Sequence, residues 1–173
     1  MILDLCYYPN PILRKQCKTV IKITPEIKKL VEDMIETMDV NNGVGLAANQ
    51  VGALHRLFVI RPIIKKGDEY FLGQAEVYIN PRLSNPSTKK EVMTEGCLSF
   101  PSLHLEIERP YSIKIEAMNL EEKIVTHTFE GFKAREVMHE NDHLNGKYFI
   151  DRISPKFRNK IQPQLNQIKK RYS

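Results

Sequence analysis

The stretch "HENDH" at residues 139–143 constrains this chain more than any other, because the chemistry it offers exists only on a helix. One helical turn separates His139 from His143, so both imidazoles point the same way and can reach one ion. Glu140 lies beside them, able to touch a water on that ion. Two imidazoles still leave a catalytic metal short of a ligand. A zinc peptidase would bring the third from a downstream Glu or His, and beyond His143 the chain has neither; its one remaining acid, Asp151, follows the helix end too closely to serve.

The search for a third ligand therefore turns upstream, to "TEGCLSFP" at 94–101. Gly96 lets the backbone there approach another element, and the thiolate of Cys97 is a strong ligand for zinc or ferrous iron. Cys97, His139 and His143 would leave a fourth position to water. Cys6 and Cys17 read as small buried hydrophobes. A site of two histidines and a cysteine also suits copper with Met138 as axial ligand, but Met138 points about 100° around the helix from His139. In a third stretch, "GVGLAANQ" at 43–50, small residues permit close backbone approach. Gln50 ends it with a side-chain amide able to donate to a developing oxyanion.

The frame that would carry these stretches is α+β. Thr24 before Pro25 is a helix start, and Ile27, Leu30, Val31, Met34, Ile35 and Met38 recur at three and four until Asn41, Asn42 and Gly43 stop the helix. In the middle, "LFVI" (57–60), "EVYINP" (76–81), "LHLEIERP" (103–110), "YSIKIEAM" (111–118) and "KIVTHTF" (123–129) are short and β-branched or alternating, as antiparallel strands are. The segment 65–74 reads as an exposed excursion and 83–88 as a turn. Helical patterning returns from Gly131 to Asn145. After Pro155 it resumes with Phe157, Ile161, Leu165 and Ile168 as a terminal helix, despite Pro163. The expected architecture is antiparallel strands around a central helix bearing the two histidines, with further helices towards both ends.

At 173 residues the chain fits a single domain, 1–173, able to bury its own core. Asp4 and Pro9 interrupt the apolar start before a signal-peptide core could form, no apolar run is long enough for a membrane span, and three cysteines make no disulfide framework. A cytoplasmic setting is the expectation, with a monomer as the default state. The net charge of +5 is carried by the end of the chain: Arg152, Lys156, Arg158, Lys160, Lys169, Lys170 and Arg171 face no acid after Asp151. The tail 156–173 is thus a basic helix, either simply solvated or docking on an acidic partner such as RNA.

"GVGLAANQ", "EGCLS" and "HENDHLNG", in this order, resemble the three motifs of the peptide deformylases. The likeness runs from "YYPNPILRK" (7–15) through "ERP" (108–110) to "YFIDRISP" (148–155). It implies removal of the formyl group from the formyl-methionine that begins new polypeptides, with release of formate. It also makes Cys97 the third metal ligand, Glu140 the general base, and Gln50 with the backbone N–H of Leu98 the oxyanion donors. Substrate would add as a strand beside Gly45, its methionine in a slot built by Val44, Met93 and Phe132. One divalent ion per chain follows, ferrous iron natively, with Zn2+, Ni2+ or Co2+ able to replace it in purified protein. The ribosome is the partner implied for the basic tail.

Two residues depart from the commonest family pattern: Met138 stands for the usual glutamine and Ser102 for glycine, differences that bear on peptide preference more than on reaction type. Asp142, at i+3 from His139, is expected to pair with Arg109 behind the ligands. The rival readings are a zinc metallopeptidase, disfavoured by the missing downstream ligand, and a non-enzymatic basic ribosome- or RNA-binding module, disfavoured by an intact Gln50, Cys97, His139, Glu140 and His143.

Overall fold

The computed structural model describes residues 1–172. Thr24 caps the first helix, α1 (Pro25–Val40), accepting from the Ile27 N–H, and Pro25 sits where no N–H is needed. Nine strands follow: β1 (Gly45–Ala47), β2 (Leu57–Ile60), β3 (Ile63–Lys66), β4 (Glu69–Leu72), β5 (Glu76–Ser84), β6 (Lys90–Cys97), β7 (Phe100–Pro110), β8 (Ser112–Met118) and β9 (Ile124–Glu130). The chain then forms α2 (Gly131–Leu144), α3 (Pro155–Lys160) and α4 (Gln162–Tyr172). Short 3-10 turns at Pro11–Arg14, Ala48–Val51 and Phe149–Arg152 join these elements.

Five strands make one antiparallel sheet in the order β1-β2-β5-β8-β9, while β3-β4 and β6-β7 are separate two-stranded ribbons. At β2 the large sheet is covered on both faces, which is why "LFVI" is apolar throughout rather than alternating. Leu57 and Val59 turn towards α1 and pack with Val31, Met34 and Met38. Phe58 and Ile60 turn the other way, to Ala134, Val137 and Met138 of α2. The histidine helix is thereby clamped against the middle of the sheet. A third core joins Leu13, Phe100, Leu105, Tyr148 and Phe149 to Ile161, Leu165 and Ile168 of the tail.

The terminal segment differs from one continuous helix. It breaks at Ile161 into α3 and α4, and Pro163 falls at the second residue of α4, in the first turn where its missing N–H costs nothing. Its last residue, Ser173, lies outside the described residues. The tail is also more than a solvated appendage: Leu165 is fully buried, and burial of Leu165 and Ile168 contributes on the order of 2 kcal/mol each. The segment 65–74 is exposed as expected, but it forms most of a regular hairpin, β3 and β4 turning at Gly67. No helix among the described residues is long and apolar enough to cross a membrane.

Candidate metal centre and active-site cleft

Cys97 ends β6, and His139 and His143 lie one turn apart on α2. Their ligand atoms all fall within 4.8 Å of one another, the one such group of His, Cys, Asp and Glu among the described residues. The Cys97 sulfur is 3.2 Å from His143 Nε2. His139 directs Nδ1 to Glu95 Oε1 at 2.8 Å, which leaves its Nε2 for the centre. Two soft-to-borderline imidazoles and a thiolate suit a single zinc or ferrous ion, so the residues present fit a divalent metal.

Behind the donors lies a buried network of charges. Glu95, beside the Cys97 turn on β6, takes Arg109 Nε at 2.6 Å and Nη2 at 2.9 Å, and Arg135 Nη1 at 2.6 Å. Arg109 Nη1 reaches Asp142 Oδ2 at 2.9 Å, the pair that the i+3 spacing suggested, and Asp142 also pairs with Arg152. Burial alone would push the Glu95 carboxyl up, but Arg109 and His139 outweigh it and hold that group well below the usual carboxylate range. A fixed anion behind His139 keeps the imidazole oriented towards the centre.

The first motif ties the other two together. Gln50 Oε1 accepts from the Ala47 N–H at 2.9 Å. Its Nε2 donates to Ser99 Oγ at 3.0 Å and lies 3.5 Å from the Cys97 sulfur. Asn49 Nδ2 donates to the carbonyl of His143 at 2.7 Å, fastening the 3-10 turn to the end of α2. Gly45 is dictated by packing, since a Cβ there would strike the Glu140 carboxylate.

Glu140 is buried, its Oε2 has no hydrogen-bond partner, and burial pushes its carboxyl up to about 7. Such a group is poised to take and return a proton near neutrality.

A cleft of about 500 Å³ opens over this centre. Val44, Gly45, Gln50, Leu98, Phe132 and Glu140 line it, as do Cys97 and His139. Met93 does not: it is half-buried on β6 opposite Ile107 and stands outside the cleft lining. Met138 turns into the core with Phe58 and Ile113, away from the cleft, as its angle on the helix requires. Ser102 sits on the rim with φ of 62°, a left-handed backbone that explains why glycine suits the position. Asp151 binds Arg14 rather than the centre. Cys17 is buried in the core, its thiol pushed up to about 11 by that burial, and Cys6 is half-buried against the third core.

Sequence reasoning passed over four residues of this site. Asn49 and Glu95 each neighbour a residue it had singled out, Gln50 and Gly96, and both are polar at positions that their elements bury. Arg135 and Glu136 were legible from α2 itself: four residues before His139 and Glu140, they fall on the same helical face.

The comparisons with known proteins agree with this geometry. The polypeptide deformylase family model matches residues 2–159. A peptide deformylase of Thermotoga sp. (strain RQ2) is 43% identical over 162 residues, 93% of each chain. The crystal structure of peptide deformylase from Ehrlichia chaffeensis superposes with a TM-score of 0.90 at 32% identity, covering 99% of this chain and 97% of that one. That of the Thermotoga maritima enzyme gives 0.78 at 42% identity, covering 90% and 99%. The fold and the site define a hydrolase of the protein-processing class. The chain belongs to the polypeptide deformylase family.

Proposed function

We propose that this enzyme removes the N-formyl group from the formyl-methionine at the start of newly made polypeptides, releasing formate. The observation that carries the reading is the convergence of Cys97, His139 and His143 at a cleft that an unpaired Glu140 and Gln50 also line. Those three residues would hold one divalent ion, and ferrous iron is the native metal we favour, with Zn2+, Ni2+ or Co2+ as substitutes. The ion supplies Lewis acidity, which makes water acidic enough to act as a nucleophile near neutral pH.

Glu140 then takes the proton from the attacking water on its carboxylate, and hands it to the departing amine nitrogen as the formyl C–N bond breaks. The Gln50 amide and the Leu98 backbone N–H donate to the oxyanion that forms between these steps. Gln50 already spends one N–H on Ser99, which fixes the side chain and leaves its weak 3.5 Å contact with the Cys97 sulfur to exchange for a better acceptor. Substrate adds as a strand beside Gly45 and the residues after Cys97, its first side chain lying against Val44 and Phe132. The packing of Ile161, Leu165 and Ile168 with Leu13 and Phe100 supports reading residues 1–173 as one catalytic domain.

Formate release from formyl-Met-Ala-Ser by protein purified without oxygen and loaded with ferrous iron tests the reading, beside Glu140→Ala. A loss of at least about a hundredfold in kcat in the variant is expected. A protein holding one metal per chain that releases no formate would overturn it. Docking of the basic tail at the ribosome is a separate part of the proposal. Deleting the tail would strip Leu165 from the core, so the charge-reversed protein Lys169→Glu/Lys170→Glu/Arg171→Glu is the cleaner probe. Co-sedimentation with ribosomes should fall steeply and remain salt-sensitive in the native protein; equal binding by both would remove that role.

A further inference from the structure

Glu136 is a buried, cleft-lining carboxyl whose chemistry the proposed reaction leaves unused. It lies on α2 between Phe132 and Glu140, one turn from each, and is only 5% exposed. Neither of its carboxylate oxygens has a hydrogen-bond partner. The polar groups that face it are already committed: Lys133 binds Glu76 at 2.8 Å, and the Tyr78 hydroxyl donates to the other oxygen of Glu76 at 2.6 Å. His139 is held by Glu95, and Glu140 is an acid like itself. A buried carboxyl without a partner is costly to keep, and this one lines the cleft together with Phe132 and Val44, the residues proposed above to receive the substrate's first side chain.

We propose that Glu136 is a specificity-determining residue that donates a hydrogen bond to an acceptor atom in the substrate's first side chain, so that the thioether of methionine is preferred over an alkyl chain of the same length. The inference rests on the deformylase reading. Burial, reinforced by the charge of Glu140, pushes the Glu136 carboxyl up to about 8, so near neutral pH it carries the proton that it donates. The sulfur of a thioether is a weak acceptor and a methylene is none, which makes norleucine the matched control for methionine.

The experiment compares kcat/KM for formyl-Met-Ala-Ser and formyl-norleucine-Ala-Ser in the iron-loaded native protein, in Glu136→Val and in Glu136→Gln. The native protein should favour methionine by about threefold to tenfold, the size of a modest neutral hydrogen bond. In Glu136→Val the ratio should fall to near one, while Glu136→Gln, which keeps an N–H donor, should retain most of the preference. Equal rates on the two peptides in the native protein would overturn the proposal without any variant, as would a ratio that Glu136→Val leaves unchanged. Absence of formate from both peptides would sink the deformylase reading and this inference with it; release from both at one rate would sink this inference alone.

Discussion

Glu95 and Glu136 line the same cleft and are equally hidden, at 6% and 5% exposure, yet their surroundings are opposite. Glu95 is held by Arg109, Arg135 and His139 and stays ionised. Glu136 has no partner and keeps its proton towards neutral pH. Burial is common to both, so partners and not depth decide the charge. The paired side of the cleft spends its polar groups on holding the site rigid. The unpaired side holds a polar group in reserve.

Breaking the paired side should have the largest effect. Arg109→Ala removes two hydrogen bonds from Glu95 and one from Asp142, leaving buried anions only partly compensated by Arg135 and Arg152. A loss of about 3 kcal/mol in urea unfolding is expected, together with weaker metal retention. Arg109→Lys should recover only part, because an ammonium cannot replace the fork that meets Glu95 twice. Stability within about 0.5 kcal/mol of native would mean that the other two arginines suffice.

Changing the unpaired side should have a smaller effect of opposite sign. Glu136→Val removes a buried group without a partner and should stabilise the protein by about 1 kcal/mol at pH 8. The pH dependence follows from the raised pKa. Between the ordinary 4.5 and about 8 the folded chain holds a proton that the unfolded chain has released, so stability is fully present below about 4.5 and is lost as pH rises towards 8. Glu140, Glu76, Lys133 and His139 face the same group and set the detail of that slope. The advantage of Glu136→Val in Tm should therefore widen from pH 5 to pH 8. Parallel curves for the two proteins would show that Glu136 is charged and that the contrast with Glu95 is mistaken.

The smallest effect belongs to a region tied to neither. β3 and β4 form a hairpin with every residue exposed, whereas β6 and β7, equally two-stranded, are bolted to α2 through Glu95 and Arg109. Phe71→Ser should change unfolding free energy by no more than about 0.5 kcal/mol and leave formate release unaltered. A loss of several kcal/mol there would mean that the hairpin is anchored after all.

The parts of the fold legible in the sequence are those where apolar pattern and buried face coincide. Thr24 and Pro25 begin α1 where expected, and β2 and β8 match their apolar runs to within a residue. β6 was not legible because its inward positions, opposite Arg109, Ile107 and Leu105, are Glu91, Met93 and Glu95: two of the three are acids, and a charge turned inward erases the alternation that marks a strand. The break at Ile161 was hidden for the opposite reason, since Phe157, Ile161, Leu165 and Ile168 keep helical spacing across it. Within the site, the donors Cys97, His139 and His143 could be read because their chemistry is rare. Glu95 and Glu136 could not be told apart, because a sequence shows an acid without showing who stands beside it.

Ser102 has a consequence for how such a site could change over generations. Its backbone takes a left-handed turn that glycine adopts freely and a serine holds at some cost, at an exposed position on the rim of the cleft. A replacement there can reshape the mouth of the cleft while the candidate metal ligands, Gln50 and Glu140, which sit on other elements, stay where they are. The rim is thus the place where taste in peptides can drift without risking the reaction.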